Sequence, residues 1–225
     1  EIPKRDWSSD VCSSDLLIPE KVAEAAPYHI LKIKLGMGEK QDKEIMNAIR
    51  AETDTLIRVD ANEGWDLETG IKMCHWLSER NVEFVEQPFK STNLKDTATL
   101  RTQSPLPLVA DENSLNSSDI PGIHGIFDGI NIKLMKCGNL FEALKMVKMA
   151  RERDMSIMLG CMIESSVGIT AAAHLSPLVD YADLDGHLLI NNDPYLGVTV
   201  GNGKLVLPQG NGLGVSINSN HNNLI

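Results

Sequence analysis

Aromatic residues are scarce, only 4% of 225 positions, so a core here has to be built from aliphatic side chains. Hydrophobic residues, at 42%, supply enough for one good-sized core. Positive charge is also short: 21 Lys and Arg face 31 Asp and Glu, a net charge of −10. That balance argues against nucleic acid or an anionic membrane as a partner. No apolar run approaches the roughly 18 residues of a membrane span, and the first residues lack a secretory-signal pattern. Cys12, Cys74, Cys137 and Cys161 have neither metal-site nor disulfide-framework spacing. Unpaired cysteines suit a reducing cytoplasm, the expected location. The glycine-rich stretch 197–214 contains no phosphate-binding pattern and reads as hairpins and turns.

Residues 1–16 do not share the texture of the rest. Positions 6–16 read DWSSDVCSSDL, without an apolar period and with Ser-Ser-Asp repeated. This stretch resembles the translation of a sequencing-library adapter. It is read as a non-native segment and set apart from the fold.

From residue 17 onward, strand-like and helix-like stretches alternate. Strands are predicted at 31–35, 55–60, 82–86, 106–111, 129–134, 156–159 and 181–190. Helices are predicted at 19–26, 39–52, 67–80, 93–102, 117–123, 140–153 and 167–175. Alternation at this length means βα units and a parallel sheet, either open or closed into a barrel. Lys34, Asp60, Glu86, Asp111 and Lys133 each fall at the carboxyl end of a predicted strand, 22 to 26 residues apart. One functional group per strand, all at the same end, is the pattern of a TIM barrel's active-site face. An open sheet collects its site at one crevice instead, so the barrel is favoured.

Those residues imply a chemistry. Asp60, Glu86 and Asp111 are three carboxylates on consecutive strands, inward by parity with Arg58, Phe84 and Val109. Three anions brought together need a cation, and all-oxygen ligation selects a hard one, Mg2+ first. Lys34 and Lys133 flank the triad and would lie across a barrel mouth from one another. A carboxylate substrate over the ion would lose its α-proton to one lysine as an enediolate forms, and regain a proton from the other. Lys32 shares a strand face with Lys34, and like-charge repulsion would help Lys34 give up its proton. Lys136, just past Lys133, is expected to be an ordinary loop lysine.

Taken together, Lys32-x-Lys34, Val59-Asp60-Ala61-Asn62, Glu86-Gln87-Pro88, Ala110-Asp111-Glu112 and Asn131-Ile132-Lys133 resemble the enolase superfamily, muconate-lactonizing subgroup. The likeness runs from about residue 17 to 214. It implies a (β/α)7β barrel with Mg2+ on Asp60, Glu86 and Asp111, and a catalytic pair Lys34 and Lys133. The mandelate-racemase subgroup uses a seventh-strand histidine, and 156–162 has none. Asp183-Leu184-Asp185, with Cys161 and Met162 in the stretch 160–165, is similar to the dipeptide epimerases. There the Asp pair grips the substrate's free amine, so Asp183, Asp185, Cys161 and Met162 are nominated as substrate contacts. The implied activity is Mg2+-dependent epimerisation of dipeptides. The alternatives are an N-acylamino acid racemase, an o-succinylbenzoate synthase, or a non-catalytic metal-binding remnant.

The resemblance also sets an expectation of what is missing. Family members carry an N-terminal capping domain and a first barrel strand, and neither is read here. The fold class expected is therefore α/β, a truncated TIM-type barrel over residues 17–190. Residues 191–218 would form a segment that packs on the cap, with a tail at 219–225. Open sheet edges imply that the chain as it stands folds poorly, aggregates and shows little activity. The expected partner is a small-molecule dipeptide, with no nucleic acid or membrane, and the family leans towards homo-oligomers.

Overall fold

The computed structural model describes residues 18–201 and 203–219, together with the main chain of residues 6–9. Eight strands form one parallel sheet in chain order: β1 (Asp6–Ser9), β2 (Ile30–Lys34), β3 (Leu56–Asp60), β4 (Val82–Glu86), β5 (Leu108–Ala110), β6 (Gly129–Lys133), β7 (Ser156–Gly160) and β8 (Tyr181–Ala182). Among the described residues, eight α-helices accompany them: α1 (Ile18–Glu24), α2 (Glu39–Glu52), α3 (Leu67–Ser78), α4 (Leu94–Gln103), α5 (Ile120–Ile123), α6 (Leu134–Cys137), α7 (Leu140–Arg151) and α8 (Ser166–Ala173). Strand following strand by way of helices is the α/β partial barrel expected from the sequence. Among the described residues, no strand pairing joins β8 back to β1.

Period-2 alternation divides the two faces of the sheet. Outward-facing Ile33, Val59, Val85, Leu108, Ile132 and Leu159 are buried under Ile49, Met73, Leu77, Met146 and Ala172 of the helices. Helices α3, α4 and α7 start where a side chain takes an orphan amide: Asp66, Asn93 and Asn139 accept from the main-chain N–H groups of Thr69, Asp96 and Glu142. Facing inward, Phe84, Val109, Met158 and Tyr181 form a second, small cluster. The Arg58 guanidinium lies 5.2 Å from the Phe84 ring centre and 4.5 Å from that of Tyr181. This plug fills the lower interior and leaves the carboxyl ends of the strands as the place where polar groups meet.

Two features depart from expectation. Asp6–Ser9, within the adapter-like stretch set apart from the fold, pairs in parallel register with β2 from Asp6 opposite Ile30 to Ser9 opposite Ile33. Parallel pairing uses main-chain groups alone, so an extended segment tethered beside a bare edge can occupy it whatever its side chains. The last strand, predicted over 181–190, stops after Ala182. Asp183 N–H still donates to Leu159 O at 2.9 Å, and the chain then turns into a 3-10 helix at Gly186–Leu189. Beyond it, β10 (Thr199–Gly201) and β11 (Lys204–Val206) form the expected hairpin, and β9 (Tyr195–Leu196) pairs antiparallel with β12 (Ser216–Ile217).

Candidate active site

Register puts the polar residues in a row. Lys34 stands opposite Asp60, and Asp60 opposite Glu86. Asp111 follows β5 by one residue, and Lys133 ends β6 opposite Gly160. Nine of the ten nominated residues line one cavity of about 670 Å³: Lys32, Lys34, Asp60, Asp111, Lys133, Cys161, Met162, Asp183 and Asp185. The tenth, Glu86, is fully buried.

The loops that carry this row are tied to each other. Gly36 has φ +100, and a Cβ there would lie 2.2 Å from Ala61 O, so only glycine lets the β2 and β3 loops cross. Asp42, completely buried at the start of α2, accepts from Gly36 N–H (3.1 Å), Met37 N–H (3.0 Å) and Trp65 Nε1 (2.7 Å). Gln87 links the next pair of loops, donating to Asn113 Oδ1 at 2.7 Å and accepting from Asp111 N–H at 2.9 Å. The loop after Lys34 is thus held by the Asp42 side chain, and the main chain of Asp111 by the Gln87 side chain.

The cluster neutralises itself with lysines. Lys32 Nζ is 2.8 Å from Glu86 Oε2, 3.3 Å from Asp183 Oδ2 and 3.6 Å from Asp60 Oδ2, with its side chain 5% exposed. Burial alone would pull the Lys32 ammonium down, but Glu86, Asp60 and Asp183 together hold it well above its ordinary value. Lys32 was expected to act on Lys34; its closest charged partners are carboxylates instead. Lys133 donates to Asp111 Oδ2 at 2.7 Å. Burial, and Lys32 beside it, lower the affinity of Lys133 for its proton, and Asp111 with Glu86 more than restores it. Glu86 goes the other way: burial pushes its carboxyl up to about 7, with Lys32 pulling against that rise. The Cys161 thiol is pushed far up by burial and by Asp183 and Asp185, so it enters the cavity wall as a neutral group.

Two residues of the cluster escape a strand-end reading. Asn131 Nδ2 donates to Glu86 Oε1 at 2.6 Å, and a Cβ at Gly160 would meet Asn131 Oδ1 at 2.5 Å, so Gly160 makes the room. Asn131 sits two residues before Lys133, so strand parity alone could have nominated it. Lys136, expected in a loop, lies in α6 with its ammonium bonded to Asp111 Oδ1, to Asp111 O at 2.7 Å and to Asn131 O at 3.2 Å. The chain folds straight from β6 into a helical turn, which returns Lys136 over the strand end. No strand periodicity signals that.

Donor chemistry fits a hard cation. Asp60, Glu86 and Asp111 offer only carboxylate oxygens, the donors a hard cation takes. Glu86 Oε2 already faces the Lys32 ammonium at 2.8 Å, and among the described residues the buried Asp183 Oδ1 has no hydrogen-bond partner. Among the described residues, no three His, Cys, Asp or Glu side chains are already drawn into a cage around an ion. The lysine ammoniums hold Asp60, Glu86 and Asp111 instead.

Residues 18–221 match the family described as Enolase C-terminal domain-like. The chain belongs to that family. It is 44% identical over 214 residues to an L-Ala-D/L-Glu epimerase of Bacteroides thetaiotaomicron, covering 95% of this chain and 55% of that protein. It is 38% identical to an L-Ala-D/L-amino acid epimerase of Flavobacterium johnsoniae, covering 96% of this chain and 63% of that one. A dipeptide epimerase from Cytophaga hutchinsonii, solved with Mg and the dipeptide D-Ala-L-Val, superposes with a TM-score of 0.90 at 28% identity. That match covers 98% of this chain and 63% of the other. This member of the enolase C-terminal domain-like family therefore spans between a half and two thirds of the length of these relatives.

Proposed function

We propose that this chain carries the catalytic barrel of a Mg2+-dependent dipeptide epimerase, an isomerase acting on amino acid derivatives. The carrying observation is the convergence of Lys34, Lys133, two strand-end carboxylates, Asp183 and Asp185 on one cavity, with Glu86 buried at the same end of the sheet. Asp60, Glu86 and Asp111 would hold Mg2+. The ion supplies Lewis-acid stabilisation of the negative charge that a substrate carboxylate gains as its α-proton leaves.

The remaining steps belong to the protein. Asp183 and Asp185, one residue apart beyond β8, would take the substrate's free ammonium group between two carboxylates. Met162, Ile163 and Leu189 form an apolar wall of the cavity for a substrate side chain. Lys34 from β2 and Lys133 from β6 reach the α-carbon from opposite sides, one removing a proton while the other returns one. Lys133, charged beside Asp111, is in the state to donate. Lys32 spreads its ammonium over Glu86, Asp60 and Asp183 and keeps these carboxylates from repelling each other apart.

Deuterium uptake tests the reading. The chain is incubated with Mg2+ and a mixture of free-amine dipeptides and N-acyl amino acids in deuterated water, and α-carbon label is read by mass spectrometry. Label in free-amine dipeptides that disappears in Asp183→Asn is the expected result. The uptake should be slower than that of the longer Bacteroides relative. Label confined to N-acyl amino acids would move the assignment to racemase chemistry, and no label in either class would contradict it.

A further inference from the structure

Within the described cluster, Asp111 is held by two ammoniums at once, one on each carboxylate oxygen. Lys133 takes Oδ2 at 2.7 Å and Lys136 takes Oδ1. The two lysines are not equivalent. Lys133 lines the cavity, whereas Lys136 is outside its wall, behind Asp111, with its side chain 10% exposed. Lys136 also donates to the main-chain oxygens of Asp111 and Asn131, so it clasps the end of β5 to the end of β6. A carboxylate can rotate and offer an ion either oxygen or both. An ammonium fixed on one oxygen and on the same residue's carbonyl removes that freedom.

We propose that Lys136 is a positioning residue for Asp111, locking Oδ1 so that Oδ2 alone faces the cavity and Asp111 serves as a one-oxygen ligand. The proposal rests on the reading of Asp111 as a metal ligand. It opposes a simple electrostatic expectation. One more ammonium near an ion should weaken binding by repulsion, so removing it should strengthen binding. Positioning demands the reverse sign.

Mn2+ serves as the probe, titrated into the full chain and followed by electron paramagnetic resonance. Lys136→Met is expected to weaken Mn2+ binding about 10–100-fold, the range for loss of a group that orients a metal ligand. Lys136→Gln keeps an amide donor for the Asp111 carbonyl. It should show the same loss with its thermal midpoint in EDTA close to that of the parent. In an Asp111→Asn background, Lys136→Gln should cost less than about twofold more, because the residue it orients is already impaired. Unchanged or tighter binding in Lys136→Gln would overturn the proposal, as would additive losses in the double variant. Failure of both Lys136 variants to fold would assign the residue to the fold and overturn it too. A parent chain that takes up no Mn2+ would overturn the metal reading itself, and the role of Lys136 with it.

Discussion

Buried charge is the feature from which the site's single residues take their roles. An ionised side chain removed from water survives only with a partner, and Lys32, Lys133 and Lys136 divide Asp60, Glu86, Asp111 and Asp183 among themselves. Asp42 is the scaffold counterpart, a buried carboxylate whose partners are main-chain and indole N–H groups. Asp42→Ala leaves those donors without their acceptor and is expected to cost about 3 kcal/mol. A urea midpoint shift at unchanged slope would measure it. A shift near zero would mean that water satisfies the loop. Neither Asp42 nor Lys136 was legible as a site residue. Each works by a turn of chain that brings it back over a strand end, and side-chain periodicity is blind to such returns. The strand-end residues were legible because a parallel sheet repeats the same geometry every βα unit.

Crossing loops set the geometry at the scale of elements. The β2 and β3 loops pass so closely at Gly36 that a methyl group would collide with the Ala61 carbonyl, in a backbone region unfavourable to any side chain. Gly36→Ala is expected to lose about 1–3 kcal/mol from backbone strain alone, with the collision added. Because the same crossing holds Lys34 beside Asp60, Mn2+ affinity should fall along with the thermal midpoint. A variant with lowered stability but parental Mn2+ affinity would separate the crossing from the site. Element boundaries were readable to within a few residues in α3 and α7, where caps and apolar stripes agree, and in α2 from its apolar stripe. The last strand was read as too long. Its alternation continues through Asp183-Leu184-Asp185, with Leu184 buried and the two acids beside it, but that segment buries Leu184 outside any strand.

The whole sheet raises the question of its edges. Residues 6–9 cover the β2 edge by main-chain pairing, so the covering segment contributes order where composition gave no reason to expect it. Deleting residues 1–9 should bare that edge and drive association. Size-exclusion light scattering is expected to show a larger share of aggregate for the truncated chain than for the parent at the same protein concentration. A monodisperse truncated chain with an unchanged thermal midpoint would show that the pairing adds nothing. The fold class itself was legible, since seven strand-and-helix units in unbroken alternation leave few other ways to bury two-sided strands.

Central to the proposed function is a pair of lysines, Lys34 and Lys133, that would work from opposite sides of one α-carbon. The most direct measurement is α-proton exchange in deuterated water with Mg2+, on the two epimers of a turnover dipeptide separately, in Lys34→Ala and Lys133→Ala. Loss of a general base should slow exchange about 10²–10⁴-fold. Each variant is expected to lose exchange with one epimer and keep a measurable rate with the other, and the two variants should spare opposite epimers. Equal loss with both epimers in both variants, or no loss in either, would contradict the two-sided mechanism.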